Sequence, residues 1–322
     1  MRTSVIVPTY NASDRLARTI EAVLAQQYRP AEIIIIDDGS TDATAQTCRN
    51  FGNSIIYHRT NNGGQQAARN LGASIATGDW LSLLDHDDLW DPEYLAEVDR
   101  FVANHNIDAV WCNCRTLRET AQSATVTVPD RFRQHAPTGF WQTRGIAPDE
   151  HWSLLQHYGW RDYLTFHPPQ PSVTSIRRDV YQRIGGFDPR LRNNNAENME
   201  FELRTVRAAR IGIIWRPLAS ITDHTASAGA DTNKTIVDVV ALLEFVLQHH
   251  RLTTDETDAI TEAIQQRLPR AISGAFALRD FDTLRGYAAR SKPGLDWKTR
   301  IKLAVARLPR PVAGRLAAIL EK

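Results

Sequence analysis

Cysteine is scarce in this 322-residue chain, which has three: Cys48, Cys112 and Cys114. A small, odd number provides no disulfide framework and is typical of a reducing compartment. Cys112 and Cys114 are spaced C-x-C, but no second pair completes a zinc site of that kind. We therefore expect all three to be structural thiols.

Long apolar runs are also lacking. No run approaches the roughly 18 residues that a membrane-spanning helix requires. The N-terminus, MRTSVIVPTYNAS, has only a short apolar run before Pro8, too short for the core of a signal peptide. The sequence therefore predicts a cytoplasmic protein, or one that is peripheral on the inner face of the plasma membrane.

A strong charge of either sign is absent, because the formal net charge is +1. This argues against a dedicated nucleic-acid binder, so no nucleic-acid partner is expected. The charge is nevertheless uneven, since residues 292–322 contain eight Lys or Arg residues against Asp296 and Glu321. Apolar residues recur at helical spacing among these bases, which suits an anionic membrane surface. The alternative is a helical cap with a solvated basic face, and the pattern leaves both open.

Apolar runs typical of buried strands alternate with helical segments in the first third of the chain. The strand candidates are SVIVPTY, EIIIID, SIIYH and WLSLL. A helix capped by Ser13 or Asp14 follows the first, and another is expected over about 65–76. Strands and helices alternating through short connections predict an α/β fold with a mainly parallel sheet and helices on both faces.

The rest of the chain is less regular at first. Residues 115–171 are rich in aromatics and histidine, and a strand and a short helix are expected from about 172. ENMEFELRTVRAAR predicts a helix, and IGIIW and ASITDH predict two strands. From about Ile236 onward the pattern is helical throughout.

Acidic residues gather where the predicted parallel strands end. Asp37 and Asp38 follow the second strand, and LLDHDDLWDP places Asp85, Asp87 and Asp88 after the fourth. Ligands of such sheets bind beyond the carboxyl ends of the strands, so these loops share one edge. Neighbouring carboxylates there usually indicate a hard divalent cation.

Two common nucleotide sites are excluded, because neither G-x-G-x-x-G nor G-x-x-x-x-G-K-[ST] is present. Asp88 and Asp91 are also suitable acids for the start of a helix, and Asp91-Pro92-Glu93 has the composition of such a start.

Four motifs occur in order over residues 4–92: VIVPTYN, DDGSTD, NGGQQAARNLG and LLDHDD. Together they resemble the inverting family 2 glycosyltransferases of the GT-A fold, and RIGGFDPRLR, AENMEFELR and TDH extend the resemblance to about residue 225. It implies a GT-A domain over 1–225, with a nucleotide-binding half over about 1–115 and an acceptor-binding half over about 116–225. A helical region over 235–322, basic at its end, lies outside the resemblance.

The resemblance assigns donor-binding roles residue by residue. Pro8, Thr9 and Tyr10 would line the base and ribose of a nucleotide, and Asp38 would accept a hydrogen bond from the base. Arg69 would face the nucleotide and its phosphates, where a guanidinium is a natural partner. The alternative for Arg69 is a structural ion pair with one of the acids after the fourth strand.

Asp85-His86-Asp87 matches the D-x-D motif of the family. The resemblance places Asp85 and His86 at the donor, with Asp85 toward the ribose, and Asp87 on the metal. His224 in TDH would be a further metal ligand, and a neutral imidazole suits Mn²⁺ better than Mg²⁺. A buried, satisfied histidine is the competing interpretation of His224.

The expected catalytic base is missing, because Asn198 stands where the family has Asp and an amide cannot accept the proton. Three interpretations remain open. Glu197 serves as the base after a small backbone shift, Glu200 reaches in from one helical turn along, or the protein is a weak or inactive transferase. We favour Glu197. Trp111, Trp160 and His167 are weaker candidates for contact with an acceptor, with ordinary core positions as the alternative.

These assignments imply an inverting glycosyltransferase that depends on Mn²⁺ or Mg²⁺. It would move a sugar from a nucleotide-diphosphate donor, with UDP favoured, to a hydroxyl of a glycan or lipid-linked acceptor in bacterial cell-surface polysaccharide synthesis. The alternative from another class, motivated by Asn198, is a non-catalytic nucleotide-sugar-binding or scaffolding protein.

Overall fold

The computed structural model describes residues 1–119, 123–148, 150–192, 194–223, 232–290 and 296–320. Two compact units emerge from its contacts. The N-terminal unit consists of Met1–Arg192 and Glu197–Thr225, and the C-terminal unit consists of Asn193–Ala196 and Ala226–Lys322.

The N-terminal unit is built from strands and helices in alternation. Its strands are β1 (Thr3–Thr9), β2 (Glu32–Asp37), β3 (Ile56–Arg59), β4 (Trp80–Leu83), β5 (Leu89–Trp90), β6 (Ala109–Glu119), β7 (Ala124–Val128), β8 (Trp152–Leu154), β9 (Thr174–Arg177) and β10 (Ile211–Asp223). Its helices are α1 (Ser13–Leu24), α2 (Thr44–Asn50), α3 (Gln65–Ile75), α4 (Tyr94–Asn104), α5 (Arg131–Gln134), α6 (Trp160–Thr165), α7 (Arg178–Ile184) and α8 (Glu197–Ala208).

These strands form one sheet in the order β3-β2-β1-β4-β9-β6-β10-β5, with β7 beside β6 and β8 beside β10. The first four strands are parallel, as the sequence predicts. β9 then runs antiparallel to both β4 and β6, whereas β6 and β10 are parallel to each other. The parallel half thus brings the carboxyl ends of β1, β2 and β4 to one edge.

Helix α3 lies directly against the parallel strands. A Cβ at Gly72 would lie 2.5 Å from Cγ2 of Ile6 on β1, so only glycine permits this approach. The apolar residues of β1, β2 and β4 are buried throughout, as in buried parallel strands. This close packing fixes where the polar residues of α3 sit relative to the ends of β1 and β4.

Two expected helix starts are wrong in detail. Neither Ser13 nor Asp14 caps α1; instead the N–H of Ala12 donates to Thr44 Oγ1 (3.0 Å) and that of Ser13 to Asp42 Oδ2 (3.1 Å). The segment after β2 therefore accepts hydrogen bonds from the backbone N–H groups at the start of α1, in place of a local side-chain cap. Asp91 does not begin a helix with Pro92, because α4 starts at Tyr94.

The predicted strand IGIIW and residues 219–223 of the predicted strand ASITDH belong to a single strand, β10. Its pairing with β6 shifts register between Ile214 and Ala219, a β-bulge that contains Pro217. Proline cannot donate to the ladder, so the sequence pattern breaks there although the strand continues. The side chain of Asn113 helps to hold the bulge by donating to the Trp215 carbonyl at 2.9 Å.

The C-terminal unit is helical in its described residues. Its helices are α9 (Thr232–His249), α10 (Thr254–Ala277), α11 (Phe281–Arg290), α12 (Trp297–Ala306) and α13 (Arg310–Leu320). A capping box of Thr253 and Glu256 begins α10. In the part of the chain that the structure describes, no helix is both long enough and apolar enough to cross a bilayer.

Candidate functional site

Asp88 in the acidic loop after β4 has a structural position. Its carboxylate is buried and accepts hydrogen bonds from the Thr222 N–H (2.8 Å) and from Ser172 Oγ (2.5 Å). Burial, together with the neighbouring charges of Asp87 and Asp85, raises the pKa of Asp88 well above its ordinary value. Asp88 therefore ties the β4 loop to β10 and to the segment before β9, and it is not a helix-start acid.

Arg69 is the buried cation of the site, with a side chain that is 1% exposed. Its Nη2 lies 2.7 Å from Asp85 Oδ1, and its Nη1 lies 3.6 Å from Glu197 Oε1. Burial lowers the pKa of Arg69, but Asp85 and Glu197 more than offset this and hold it above its ordinary value. One guanidinium thus joins α3, the β4 loop and the start of α8.

Glu197 is the first residue of α8 and is buried. Gln65 Nε2 at the start of α3 donates to Glu197 Oε1 at 2.6 Å. Burial raises the pKa of Glu197, while Arg69 opposes the rise. The carboxylate is therefore oriented by two side chains of α3 and is more basic than a solvated glutamate.

Glu200, the second base candidate, is held in a different contact. Arg204 donates to both of its carboxylate oxygens, with Nε 2.6 Å from Oε1 and Nη2 2.5 Å from Oε2. The same guanidinium donates to the Gly186 carbonyl at 2.6 Å. Glu200 is thus part of a buried bidentate ion pair, and Asn198 lies between the two glutamates at the start of the helix.

Both carboxylate oxygens of Asp38 accept hydrogen bonds from backbone N–H groups. Oδ1 accepts from the Gly63 N–H and Oδ2 from the Gly64 N–H, each at 2.7 Å. Gly64 has a φ of +92°, a conformation that side chains disfavour, so this turn requires glycine. In this structure Asp38 shapes the turn that leads into α3.

The end of β1 adds the third segment of the site. The carbonyl of Pro8 lies 3.3 Å from His86 Nδ1, which links this strand to the acidic loop. Thr9 is buried and its Oγ1 has no hydrogen-bond partner, whereas Tyr10 is 45% exposed. Pro8 and His86, 78 positions apart in the sequence, are therefore neighbours at one edge.

The side chains that the structure describes do not preform a metal site. Within the ranges that the structure describes, no group of three or more His, Cys, Asp or Glu side chains is placed to hold a metal ion. His224 lies outside the described residues. A cation that bridges phosphates takes most of its oxygen ligands from the phosphates and water, so one or two carboxylates suffice. Asp87, half-buried beside Asp85, fits that requirement.

The acceptor candidates differ in exposure. Trp111 and Trp160 are buried, and the Trp160 indole donates to the Leu203 carbonyl at 2.7 Å. Their rings are part of the core in this structure and present no open face to a sugar. His167 is exposed.

Sequence reasoning missed Gln65 and Ser172. Gln65 is one of two adjacent glutamines in NGGQQAARN, and nothing local distinguishes the one that reaches Glu197. Ser172 accepts from the Asp85 N–H at 3.0 Å across 87 residues, a contact that no local pattern signals.

The sheet order and the acidic loop at its edge define a GT-A fold. The chain superposes on residues 1–349 of TarS from S. aureus in complex with UDP-GlcNAc with a TM-score of 0.61 and 17% identity, covering 100% of this chain and 91% of that one. The mannosyltransferase PcManGT from Pyrobaculum calidifontis, in complex with GDP-Man and Mn²⁺, gives a TM-score of 0.56 at 18% identity, covering 100% and 88%. At such identities the likeness establishes the fold alone.

The family follows from sequence. Residues 4–134 match the family model for glycosyl transferase family 2. The glycosyltransferase GlyG of Streptococcus pneumoniae serotype 4 is 35% identical over 114 residues, which are 34% of this chain and 38% of GlyG. Residues 4–134 therefore form a glycosyl transferase family 2 domain, as the motifs predicted. It spans less than half of the length of the curated relatives that it matches at 30% identity or more.

Proposed function

We propose that this protein is an inverting, metal-dependent glycosyltransferase that moves a sugar from a nucleotide-diphosphate donor to a hydroxyl of a glycan or lipid-linked acceptor. The observation that carries the proposal is the position of Arg69, whose buried guanidinium joins Asp85 on the donor side to Glu197 on the base side. A UDP-sugar is the favoured donor, because the TarS structure contains UDP-GlcNAc. Cell-surface polysaccharide synthesis is the corresponding role.

The donor would lie along the shared edge. Tyr10 is exposed beside Pro8 and Thr9, where an aromatic ring can pack on a nucleotide base. Asp85 would accept hydrogen bonds from the ribose, and His86, already held near the Pro8 carbonyl, would border the same pocket. Asp38 would act mainly by ordering the Gly63–Gly64 turn, and Arg69 would meet the negative charge of the diphosphate.

Asp87 would hold the divalent cation, Mn²⁺ or Mg²⁺, with His224 as a further ligand. When bound, such a cation neutralises negative charge that develops on a diphosphate leaving group. Mn²⁺ in the PcManGT structure supports this choice. Arg69 adds a fixed positive charge to the same region, and its burial strengthens that electrostatic effect.

Glu197 would be the general base. Its carboxylate would take the proton from the acceptor hydroxyl as that oxygen bonds to the sugar carbon, and the bond from this carbon to the diphosphate breaks on the opposite side. This in-line displacement inverts the configuration. The raised pKa of Glu197 suits proton acceptance, since a base is most effective near the working pH. The ion pair of Glu200 with Arg204 leaves that residue as the weaker candidate.

The test uses the full chain with Mn²⁺, a panel of UDP-, GDP- and dTDP-sugars and an acceptor panel, with release of nucleoside diphosphate as the readout. Glu197→Gln keeps the hydrogen bond from Gln65 and removes the base, so we expect kcat to fall at least about 100-fold with donor affinity unchanged. Glu200→Gln is the matched control and should retain turnover in correctly folded protein. Full turnover in Glu197→Gln would assign the base elsewhere.

A second candidate function is a non-catalytic nucleotide-sugar-binding protein, favoured by Asn198 at the position of the family's base. Calorimetry separates the two. Binding of UDP with Mn²⁺, without release from any donor in the panel, supports the second candidate. No binding of UDP, GDP or dTDP would contradict both.

A further inference from the structure

Helix α12 exposes an apolar stripe. Trp297 is 67% exposed, and Ile301, one turn along on the same side, is exposed as well. Leu308, just beyond the end of the helix, is also exposed. The opposite side contains Leu303 and Ala306, which are buried in the C-terminal unit. Both sides of the helix therefore carry apolar residues, and those on one side are exposed to solvent. Exposed apolar patches of this kind often mark an interaction site.

Helix α13 repeats this arrangement. Ala313 and Ala317 are buried, whereas Val312, Ile319 and Leu320 are exposed, Ile319 to 67%. We call the exposed apolar residues of both helices and of the turn between them, together with the exposed bases, the basic apolar face: Trp297, Lys298, Arg300, Ile301, Arg307, Leu308, Val312, Arg315, Ile319 and Leu320. An ordinary surface helix has polar residues on its solvent side, whereas these two helices also have apolar residues there.

The charges of the basic apolar face are of one sign. Among residues 296–320 the single acid is Asp296, and its carboxylate caps α12 by accepting from the Thr299 N–H at 3.0 Å. Two bases of this segment point to the protein itself, since Lys302 donates to Ser273 Oγ at 2.9 Å and Arg310 pairs with Asp282. The other four, Lys298, Arg300, Arg307 and Arg315, are exposed.

Two of these bases lie beside the apolar stripe of α12. Arg300 lies on one side of that stripe and Lys298 on the other, and Arg307 is the C-cap residue of the helix. Long basic side chains can place their charge at the level of lipid headgroups while the apolar stripe enters the acyl boundary. Tryptophan is favoured at that depth because its ring is apolar and its N–H is polar.

Such a face could be covered by a second copy of this chain or by a membrane, and its charge distinguishes the two. A second copy of this chain would bring like charges together around the apolar contact, which is unfavourable. An anionic bilayer covers the apolar side chains and is attracted by the bases, at about 1 kcal/mol per Lys or Arg near the surface. We propose that α12 and α13 dock the protein in the plane of an anionic membrane surface.

The consequence for activity rests on the proposed function, although the docking does not. Docking would concentrate the transferase at the surface where lipid-linked acceptors reside. The class of acceptor that it favours is accordingly a glycolipid or lipid-diphosphate-linked sugar rather than a free glycan.

The experiment is vesicle flotation of the full chain. Vesicles of phosphatidylcholine alone are compared with vesicles containing about 30% phosphatidylserine, at about 0.1 M and about 0.5 M salt. Wild type should bind the anionic vesicles at least about tenfold better, and less at high salt. Trp297→Ser/Ile301→Ser removes the apolar anchor without changing charge, and Arg300→Glu/Arg307→Glu reverses two charges. Each should lose at least about tenfold in binding.

The matched control is Arg29→Glu/Arg270→Glu, which changes the net charge equally at exposed positions outside the basic apolar face. It should bind as wild type does, and unfolding curves should coincide for all variants. Equal loss in the control would reduce the effect to net charge and overturn the proposal. The proposal would also be overturned if wild type showed no preference for anionic vesicles. It would equally be overturned if light scattering showed that wild type is a dimer and that Trp297→Ser/Ile301→Ser makes it monomeric. UDP binding, measured on the same variants, stays unchanged if docking and donor binding are independent.

Discussion

At the residue scale, the fate of each carboxylate depends on distant partners. Asp85, Asp87 and Asp88 are nearly indistinguishable in LLDHDDLWDP, yet Asp85 pairs with Arg69 whereas Asp88 is buried between Ser172 and Thr222. The pair of Arg69 with Asp85 agrees with the alternative interpretation of Arg69, an ion pair with one of the acids after the fourth strand. The motif did not predict the burial of Asp88, because its partners come from segments more than 80 residues away.

Glu202 is a buried acid outside the proposed chemistry. Thr174 Oγ1 lies 3.3 Å from its Oε1, while its Oε2 is buried without a hydrogen-bond partner. Burial raises the pKa of Glu202 to about 8. Between the unfolded pKa of about 4.3 and this value the folded protein holds a proton that the unfolded chain releases. Raising the pH through that window must therefore destabilise the fold.

We expect Glu202→Gln to flatten this dependence, because the amide imitates the protonated acid. From pH 5 to pH 8 the wild-type free energy of unfolding should fall by on the order of 3 kcal/mol more than that of the variant. Urea unfolding at several pH values measures the difference. Glu21→Gln, at an exposed position on α1, is the control and should follow wild type. Parallel curves for wild type and Glu202→Gln would show that Glu202 is ionised in the folded state.

At the element scale, the buried parallel strands were predictable and the later strands were not. β1, β2 and β4 are continuous apolar runs that end in polar loops, so their burial and their shared edge follow from pattern alone. The sequence pattern predicts two strands where the structure has β10, because Pro217 interrupts the pattern although pairing with β6 resumes at Ala219. The order of β9, β6 and β10 depends on contacts across the chain that periodicity does not encode.

The segment that leads into α8 is anchored to α9. The Asn195 N–H donates to Asp238 Oδ2 at 2.9 Å, and Asn194 Nδ2 donates to the Asp238 carbonyl at 2.8 Å. Glu197 begins α8 two residues later. Helix α9 thus holds the backbone at Asn194 and Asn195, shortly before the proposed base, and we infer that Asp238 is a positioning residue.

We expect Asp238→Ala to lower kcat about tenfold with the donor KM within about twofold, since a small displacement of a base affects the chemical step more than donor binding. Steady-state kinetics on the full chain provides both constants. Asp238→Asn keeps an acceptor for the Asn195 N–H and should recover most of the rate. If both variants lose rate equally, or if KM changes instead, the anchor does not act on the base.

At the scale of the whole molecule, the net charge is near zero but the basic residues are concentrated near the C-terminus. The proposed donor-binding residues belong to the N-terminal unit and the basic apolar face to the C-terminal unit. The excess of bases at the C-terminus was evident in the sequence, but the exposure of Trp297 and Ile319 beside them was not, because helical periodicity alone does not say which side of a helix is covered.

This division predicts that donor binding and membrane docking can be lost separately. UDP with Mn²⁺ should stabilise the N-terminal unit of wild type by about 2.7 kcal/mol at a ligand concentration 100 times Kd, seen as a higher unfolding temperature. Asp87→Ala should lose this shift, as should wild type in EDTA, because the proposed cation carries the diphosphate; both should still float with anionic vesicles. Trp297→Ser/Ile301→Ser should keep the shift and fail to float. A variant of either kind that loses both properties would mean that the two sites are coupled, since independent sites respond only to their own substitutions.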